Sequence, residues 1–374
     1  MQLNFHPLEI VFFSVAVVSL FVQLWYTFFI HGRLIKFKNV PSEEPSLKPI
    51  SVVIAARNEA ENLKKYLPEV LEQNYSNFEV IVVNDRSWDE TADVLKEMAI
   101  KYSHLKIVTV SEGEKFIAGK KFAITMGIKA AQHEWLVFTD ADCFPGSKNW
   151  LQQMAQPTDS DKSILLGYSP YYKVSGLLNA LIRFETFYTA INYLGYAISK
   201  NPYMGVGRNM AYKKDLFFKG KGFAAHMHVP SGDDDLFVNA HANSTNTAIM
   251  IDPDSHVWTE PESTWRSYFK QKRRHSSAGS LYKAKHKWSL SIQVAFNLFF
   301  YAALIILFCT QNGLYPALVL LFLSLLGRVI VYPRLLKKLS YPELRWWYPF
   351  LDLLLQIFLL YNAIVSIFVK KASW

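Results

Sequence analysis

Two kinds of hydrophobic pattern alternate along the chain. From Leu8 to Ile30 nearly every position is apolar and Glu9 is the one charge, a run long enough to cross the ~30 Å hydrocarbon core as a helix. Runs of the same kind recur near Leu290–Cys309, Leu314–Val331 and Phe350–Val369. Between them, from about Lys48 to Lys287, apolar residues come in short blocks divided by polar segments. Ile50–Ala55, Phe78–Val83, Leu105–Val110 and Trp135–Thr139 are short, apolar and β-rich, and predict strands. Glu59–Gln73, with Leu63, Leu67, Val70 and Leu71 on one face, predicts a helix, as do Asp89–Tyr102 and Lys120–Ala131. Continuously apolar strands alternating with helices imply a parallel sheet covered on both faces. The expected class is α/β, with a crevice at the carboxyl ends of the strands.

The pattern divides the chain into an N-terminal transmembrane helix (1–38), a proline-containing linker (39–49), a globular domain (50–287) and two or three C-terminal transmembrane helices (288–374). Charge then orients it. Arg33, Lys36 and Lys38 follow the first run, and Arg273, Arg274, Lys283, Lys285 and Lys287 precede the second. Both flanks are basic, so the domain between them is expected in the cytoplasm of a multi-pass cell-membrane protein. Gln311–Gly313 carries no charge, as suits an external turn, while Arg334, Lys337, Lys338 and Arg345 mark another internal loop. Lys370-Lys371 at the far end of the last run conflicts with that alternation, so this segment is read as spanning, re-entrant or flat. A cleaved signal peptide fits poorly, because basic residues follow the first run rather than precede it. The formal charge of +9 suits lipid headgroups and nucleotide phosphates. Its basic residues sit beside apolar runs rather than in one tract, which argues against nucleic acid. Two cysteines, Cys143 and Cys309, give neither a disulfide framework nor a cysteine metal site.

Polar residues gather where the predicted strands end: Ala56-Arg57-Asn58-Glu59, Asn84-Asp85-Arg86-Ser87 and Asp140-Ala141-Asp142. Asn, Asp and Ser also cap helices, but all three stations at one sheet edge would converge on one cleft. Two carboxylates one residue apart can share a hard divalent cation, and such a cation neutralises charge on a leaving diphosphate.

Ser51–Glu59, Val82–Thr91, Gly119-Lys120-Lys121 and Phe138–Asp142 resemble, in order, the motifs of the family 2 glycosyltransferases. The resemblance runs over about Lys48 to Ser280 and implies an inverting enzyme with a type A glycosyltransferase (nucleotide-diphospho-sugar transferase) fold, here inserted between transmembrane helices. It implies that Asp85 holds the nucleotide base in a pocket with Ala55, Arg57 and Glu59, and that Lys120 contacts the donor. Asp140 and Asp142 would bind ribose and metal, either Mg²⁺ or Mn²⁺. Gly205–Tyr212, with Arg208, resembles the segment lining the donor sugar and acceptor, and its glycines allow close backbone approach. Ser231–Leu236 resembles the Glu-Asp motif that supplies the base. Alignment on Gly232 makes Asp234 that base, and a one-residue shift makes it Asp233. Gln271-Lys-Arg-Arg-His275 resembles the Gln-x-x-Arg-Trp motif of membrane-embedded members, with Gln271 and Arg274 kept and His275 in place of tryptophan.

These implications give a nucleotide-diphosphate sugar as donor, a UDP-sugar favoured, and a membrane lipid or polyprenyl acceptor. A processive polysaccharide synthase and a non-catalytic nucleotide-sugar-binding membrane protein are the alternatives. Two further features stand apart: His226-Met-His228 as a possible extra metal ligand, and aromatic-rich Gly176–Lys200 as a helix in the membrane interface.

Overall fold

The computed structural model describes residues 6–39, 48–111, 119–156, 161–229 and 231–368. It begins with helix α1 (Pro7–Trp25), which continues through a π-helical turn (Tyr26–His31) into α2 (Arg33–Lys36). The globular part then runs β1 (Ile50–Ala56), α3 (Ala60–Leu71), β2 (Phe78–Asp85), α4 (Thr91–Lys101), β3 (Leu105–Val110), α5 (Lys120–Ala130) and β4 (Trp135–Phe138). After it come β5 (Cys143–Pro145), α6 (Trp150–Ala155), β6 (Ile164–Leu166), α7 (Leu177–Ile198), β7 (Met210–Lys213) and α8 (Lys214–Lys219). The domain ends with α9 (Asp235–His241), β8 (Thr247–Ile249), β9 (Val257–Thr259) and α10 (Trp265–Gly279). Three apolar helices follow: α11 (Ala284–Phe308), α12 (Leu314–Lys338) and α13 (Tyr348–Phe368).

The main sheet has the order β3-β2-β1-β4-β7-β6-β8. Strands β3, β2, β1 and β4 are parallel, as expected from their apolar blocks. The sheet then turns mixed, because β7 pairs antiparallel with both β4 and β6. Strands β5 and β9 form a small antiparallel ribbon beside it. Successive side chains of a strand face opposite ways, and both faces of β1 are buried. Val52 and Ile54 pack with α3 and α4, while Val53 packs with α5. Gly127 of α5 allows this closeness, since a Cβ there would stand 2.6 Å from Val53 Cγ1.

The Val53 face of the sheet is continuous with the apolar helices. Helix α7 lies between them, with Leu181, Phe184, Phe187, Ile191 and Leu194 all buried. The interfacial position expected for this segment is therefore replaced by an interior one. Its apolar residues fall on several sides because it is covered on several sides, by the sheet, by the π turn and α2, and by α13. At Gly195 a Cβ would meet the Ile30 carbonyl oxygen at 2.8 Å, so helix and π turn touch backbone to backbone.

Among the described residues, three helical segments are long and apolar enough to cross a membrane: Pro7–Lys36, Ala284–Phe308 and Leu314–Lys338. Helix α13 has a shorter apolar stretch, Tyr348–Asn362, and stacks Phe358 on Tyr268 of α10 at 5.1 Å. Some polar side chains inside this bundle pair, while Ser19 and Gln356 are buried without a hydrogen-bond partner among the described residues. Arg328 meets Asp352 at 2.6 Å, and Tyr301 Oη donates to the same carboxylate at 2.8 Å. Gln23 accepts from Arg328 and from Ser324, each at 3.0 Å. Charges at such depth are tolerated when they pair.

Candidate functional site

A cavity of about 300 Å³ opens at the carboxyl edge of the central strands. Its floor comes from the strand ends, one wall from the Gly205–Arg208 turn and the α9 start, and the opposite wall from Thr186, Thr189, Ala190 and Tyr193 of α7. Lys120, Asp140, Asp142, Arg208, Asp233, Asp234, Gln271 and Arg274 all border it, so residues spread over 155 positions (120 to 274) converge.

Each station is held by its own backbone device. The turn after β1 is laced to the loop after β2. Asn58, at φ 57°, donates its N–H to Ser87 Oγ at 2.9 Å and accepts from Trp88 N–H at 3.0 Å. Glu59 donates its N–H to Thr91 Oγ1 at 2.9 Å. Arg57 is exposed at this rim, and Ala55 closes the floor of a small recess beside Lys120 and Asp140. Asp85, at the end of β2, is buried, and its Oδ1 accepts no hydrogen bond among the described residues. Burial raises its carboxyl above the ordinary range, against the pull of Arg86 and Arg57. The Oδ1 oxygen pairs with the Arg86 guanidinium at 3.6 Å, too long for a hydrogen bond, which leaves it able to accept from a ligand N–H. Glu59 is raised too, by burial first and then by the charges of Asp142 and Asp140, against a hydrogen bond from Asn62.

Lys120 opens α5 after Gly119, whose φ of 130° only glycine takes readily. Its ammonium lies 2.7 Å from Asp140 Oδ1 and 3.5 Å from Asp233 Oδ2, bridging the two acidic stations. Burial would lower Lys120, but those two carboxylates hold it above its usual value. Burial would likewise raise Asp140, and Lys120, Arg208 and Arg274 together keep its carboxyl below the usual range. Asp140, Asp142 and the Cys143 thiol offer ligand atoms all within 4.8 Å of one another. The Cys143 thiol is buried and its pKa raised well above normal, so it stays protonated. What remains is a pair of hard oxygen donors beside open cavity, which fits a Mg²⁺- or Mn²⁺-sized cation with further ligands from a diphosphate.

The acidic trio sits where α9 starts. Asp234 caps that helix. Its Oδ1 accepts from Asp235 N–H at 2.7 Å and its Oδ2 from Gly207 N–H at 2.8 Å. A Cβ at Gly207 would lie 3.2 Å from that oxygen, so the glycine lets the two segments meet. Asp235 accepts from Tyr282 Oη at 2.7 Å and from Leu236 N–H at 2.7 Å. Burial, then the neighbouring carboxylates, raise Asp234 to about 6 and Asp235 to about 7.

Gln271 donates to Glu262 at 3.3 Å while its Oε1 is buried without a partner among the described residues. The Arg274 main-chain carbonyl accepts from Ser231 Oγ at 3.1 Å. The side chain of His275 lies outside the described residues. His226 packs edge-on against Phe223 at 5.9 Å and does not join the Asp140–Asp142 group. Burial, then Lys121, lower its ring to about 4. Three contributors have no role assigned from the sequence, although Lys121 lies in the Gly119-Lys120-Lys121 motif. Lys121 donates to the His226 and Val229 carbonyls at 2.7 and 3.0 Å and so braces the segment before the trio. Tyr282 holds Asp235, and Tyr171 places its ring 4.5 Å under the Arg208 guanidinium.

The fold is the type A glycosyltransferase fold. It matches the structure of the mannosyltransferase PcManGT from Pyrobaculum calidifontis, determined with GDP-Man and Mn²⁺, with a TM-score of 0.62 over 97% of this chain and 99% of that one, at 17% identity. Residues 51–219 match the Glycosyl transferase family 2 model, and the chain carries a family 2 glycosyltransferase domain. Glycosyltransferase AglE of Haloferax volcanii is 35% identical over 106 residues, 28% of this chain and 33% of that protein. The poly-β-1,6-N-acetyl-D-glucosamine synthase of Staphylococcus epidermidis is 32% identical over 120 residues, 32% of this chain and 28% of that protein. The chain thus aligns with about a third of the length of these curated relatives.

Proposed function

We propose that the protein is an inverting, membrane-anchored glycosyltransferase that moves a sugar from a nucleotide-diphosphate donor to a hydroxyl of a membrane-associated acceptor. The observation that carries this reading is one cavity bordered by Lys120, Asp140 and Asp142 on one side and by the acidic trio on the other. Asp85, whose Oδ1 pairs with Arg86 at 3.6 Å but accepts no hydrogen bond among the described residues, suits an N–H of the donor base, with Arg57 and Glu59 along the rim. Asp140 and Asp142 would hold Mg²⁺ or Mn²⁺, which supplies neutralising charge for the departing diphosphate. Arg208 and Arg274 add charge-assisted hydrogen bonds to the same group.

For the base we choose Asp233. Asp234 has an oxygen committed to each of two backbone amides and serves as the helix cap. Asp233 borders the cavity with Lys120 at 3.5 Å and has no such pair of backbone amides. The acceptor oxygen attacks the anomeric carbon as its proton passes to Asp233, and the bond from that carbon to the diphosphate oxygen breaks. Asp234, held by the Gly207 and Asp235 amides, fixes the geometry of the turn that presents Asp233. The wall supplied by α7, packed on the apolar helices, supports an acceptor that arrives from the membrane side.

The test is to incubate membranes containing the protein with labelled UDP- and GDP-sugars, with and without chelator, then separate lipid extract from polymer. Labelled lipid that vanishes with chelator is the expected result. Label in polymer alone would shift the reading to a synthase, and no product from any donor would overturn it. Asp233→Asn should abolish transfer while donor binding persists, and full turnover in that variant would refute the base assignment.

A further inference from the structure

The loop between α12 and α13 reaches back to the wall of the cavity. Tyr341, in that loop, is fully buried. Its Oη accepts a hydrogen bond from the Tyr171 main-chain N–H at 2.6 Å and donates to the Tyr171 carbonyl at 3.3 Å. One side chain thus ties both polar groups of a backbone unit 170 residues earlier. Tyr341 is itself clamped, because the Arg183 guanidinium of α7 lies 4.4 Å over its ring and pairs with Glu343 two residues on. The Tyr171 ring carries the Arg208 guanidinium on its face at 4.5 Å. Arg208 borders the cavity beside Asp140 and Asp142. A guanidinium resting on a ring keeps its N–H edge free for bidentate contact with phosphate.

We propose that Tyr341 is a positioning residue: by fixing Tyr171 it sets the Arg208 guanidinium where the diphosphate of the donor lies. This rests on the glycosyltransferase reading above. The apolar helices therefore do more than anchor the domain, since the loop joining two of them completes the donor site.

The full-length protein in nanodiscs, with Mn²⁺, is titrated with UDP, GDP, uridine and guanosine. Tyr341→Phe should weaken binding of the preferred nucleoside diphosphate about tenfold with nucleoside binding unchanged, alongside a lower melting temperature from the Tyr171 N–H left without its partner. Tyr171→Leu should reproduce that loss. In an Arg208→Gln background, Tyr341→Phe should cost nothing more, because both changes act through one group. Additive losses, or unchanged diphosphate binding in Tyr341→Phe, would overturn the inference alone. A wild-type protein that binds neither UDP nor GDP would overturn the donor-site reading and this inference with it.

Discussion

Lys120 is the residue on which the two acidic stations depend. It offsets Asp140 and Asp233 at once, so Lys120→Met leaves both carboxylates facing a donor that is itself anionic. Loss of a charge poised on a reacting group costs about 10²–10³ in rate, and a fall of that size in kcat/KM is expected, measured by steady-state transfer. The trio gives a pH signature with opposite signs for rate and stability. Asp233 accepts the proton beside Asp234 and Asp235, which burial and then the neighbouring carboxylates raise to about 6 and about 7, so their ionisation adds the negative charge that favours proton transfer. Turnover is therefore expected to rise as pH increases through that interval and then level. For stability, a carboxyl raised above its unfolded value of ~3.9 binds its proton more tightly when folded. The contribution of Asp234 and Asp235 to the stability of the unliganded protein should then fall as pH climbs from about 4 to about 7 and hold steady above, against the opposite contribution of His226, His256 and His286, whose rings burial lowers to about 4. Thermal melts across pH read this directly, and Asp235→Asn should flatten part of the slope.

At the scale of elements, close packing reverses an intrinsic preference. Gly→Ala inside a helix ordinarily gains up to about 1 kcal/mol. At Gly279, the last residue of α10, no described residue lies within 4 Å of an added Cβ, and part of that gain is expected. At Gly195 the new Cβ meets the Ile30 carbonyl at 2.8 Å, and Gly195→Ala should instead destabilise by about 1–3 kcal/mol. Melting both variants side by side separates propensity from contact. The same contrast explains what was legible in the sequence. The central parallel strands announce themselves because each is a continuous apolar block, and the polar end of β4 marks the cavity, whereas Arg57, Glu59 and Asp85 at the ends of β1 and β2 are not in its lining. Strands β6 and β8 are three residues long, too short for any periodicity, and their partners lie far along the chain. Helix α7 misled because an all-round apolar helix reads alike whether protein or lipid covers it. Tyr171, Tyr282 and Tyr341 act through contacts that no local pattern encodes.

Across the whole molecule, the apolar helices are locked by a buried ion pair as well as by packing. Removing one member of such a pair strands the other and costs about 3–5 kcal/mol, whereas replacing both with apolar residues is often neutral. Arg328→Leu is thus expected to lower the melting temperature of the protein in nanodiscs markedly. Arg328→Leu with Asp352→Leu should recover most of the loss, although Tyr301 and Gln23 also give up a partner.

The backbone contact at Gly195, the His31–Asn192 hydrogen bond of 3.2 Å and the Arg183–Glu343 pair leave no slack between catalytic wall and anchor. On the proposed reading, such a joint makes the enzyme a depth gauge. The cleft stands at one height above the bilayer midplane, and a hydroxyl is chosen by how far its carrier lets it protrude as well as by its shape. A bilayer thinner or thicker than the native one would then change which lipids are glycosylated without touching a single residue of the cavity.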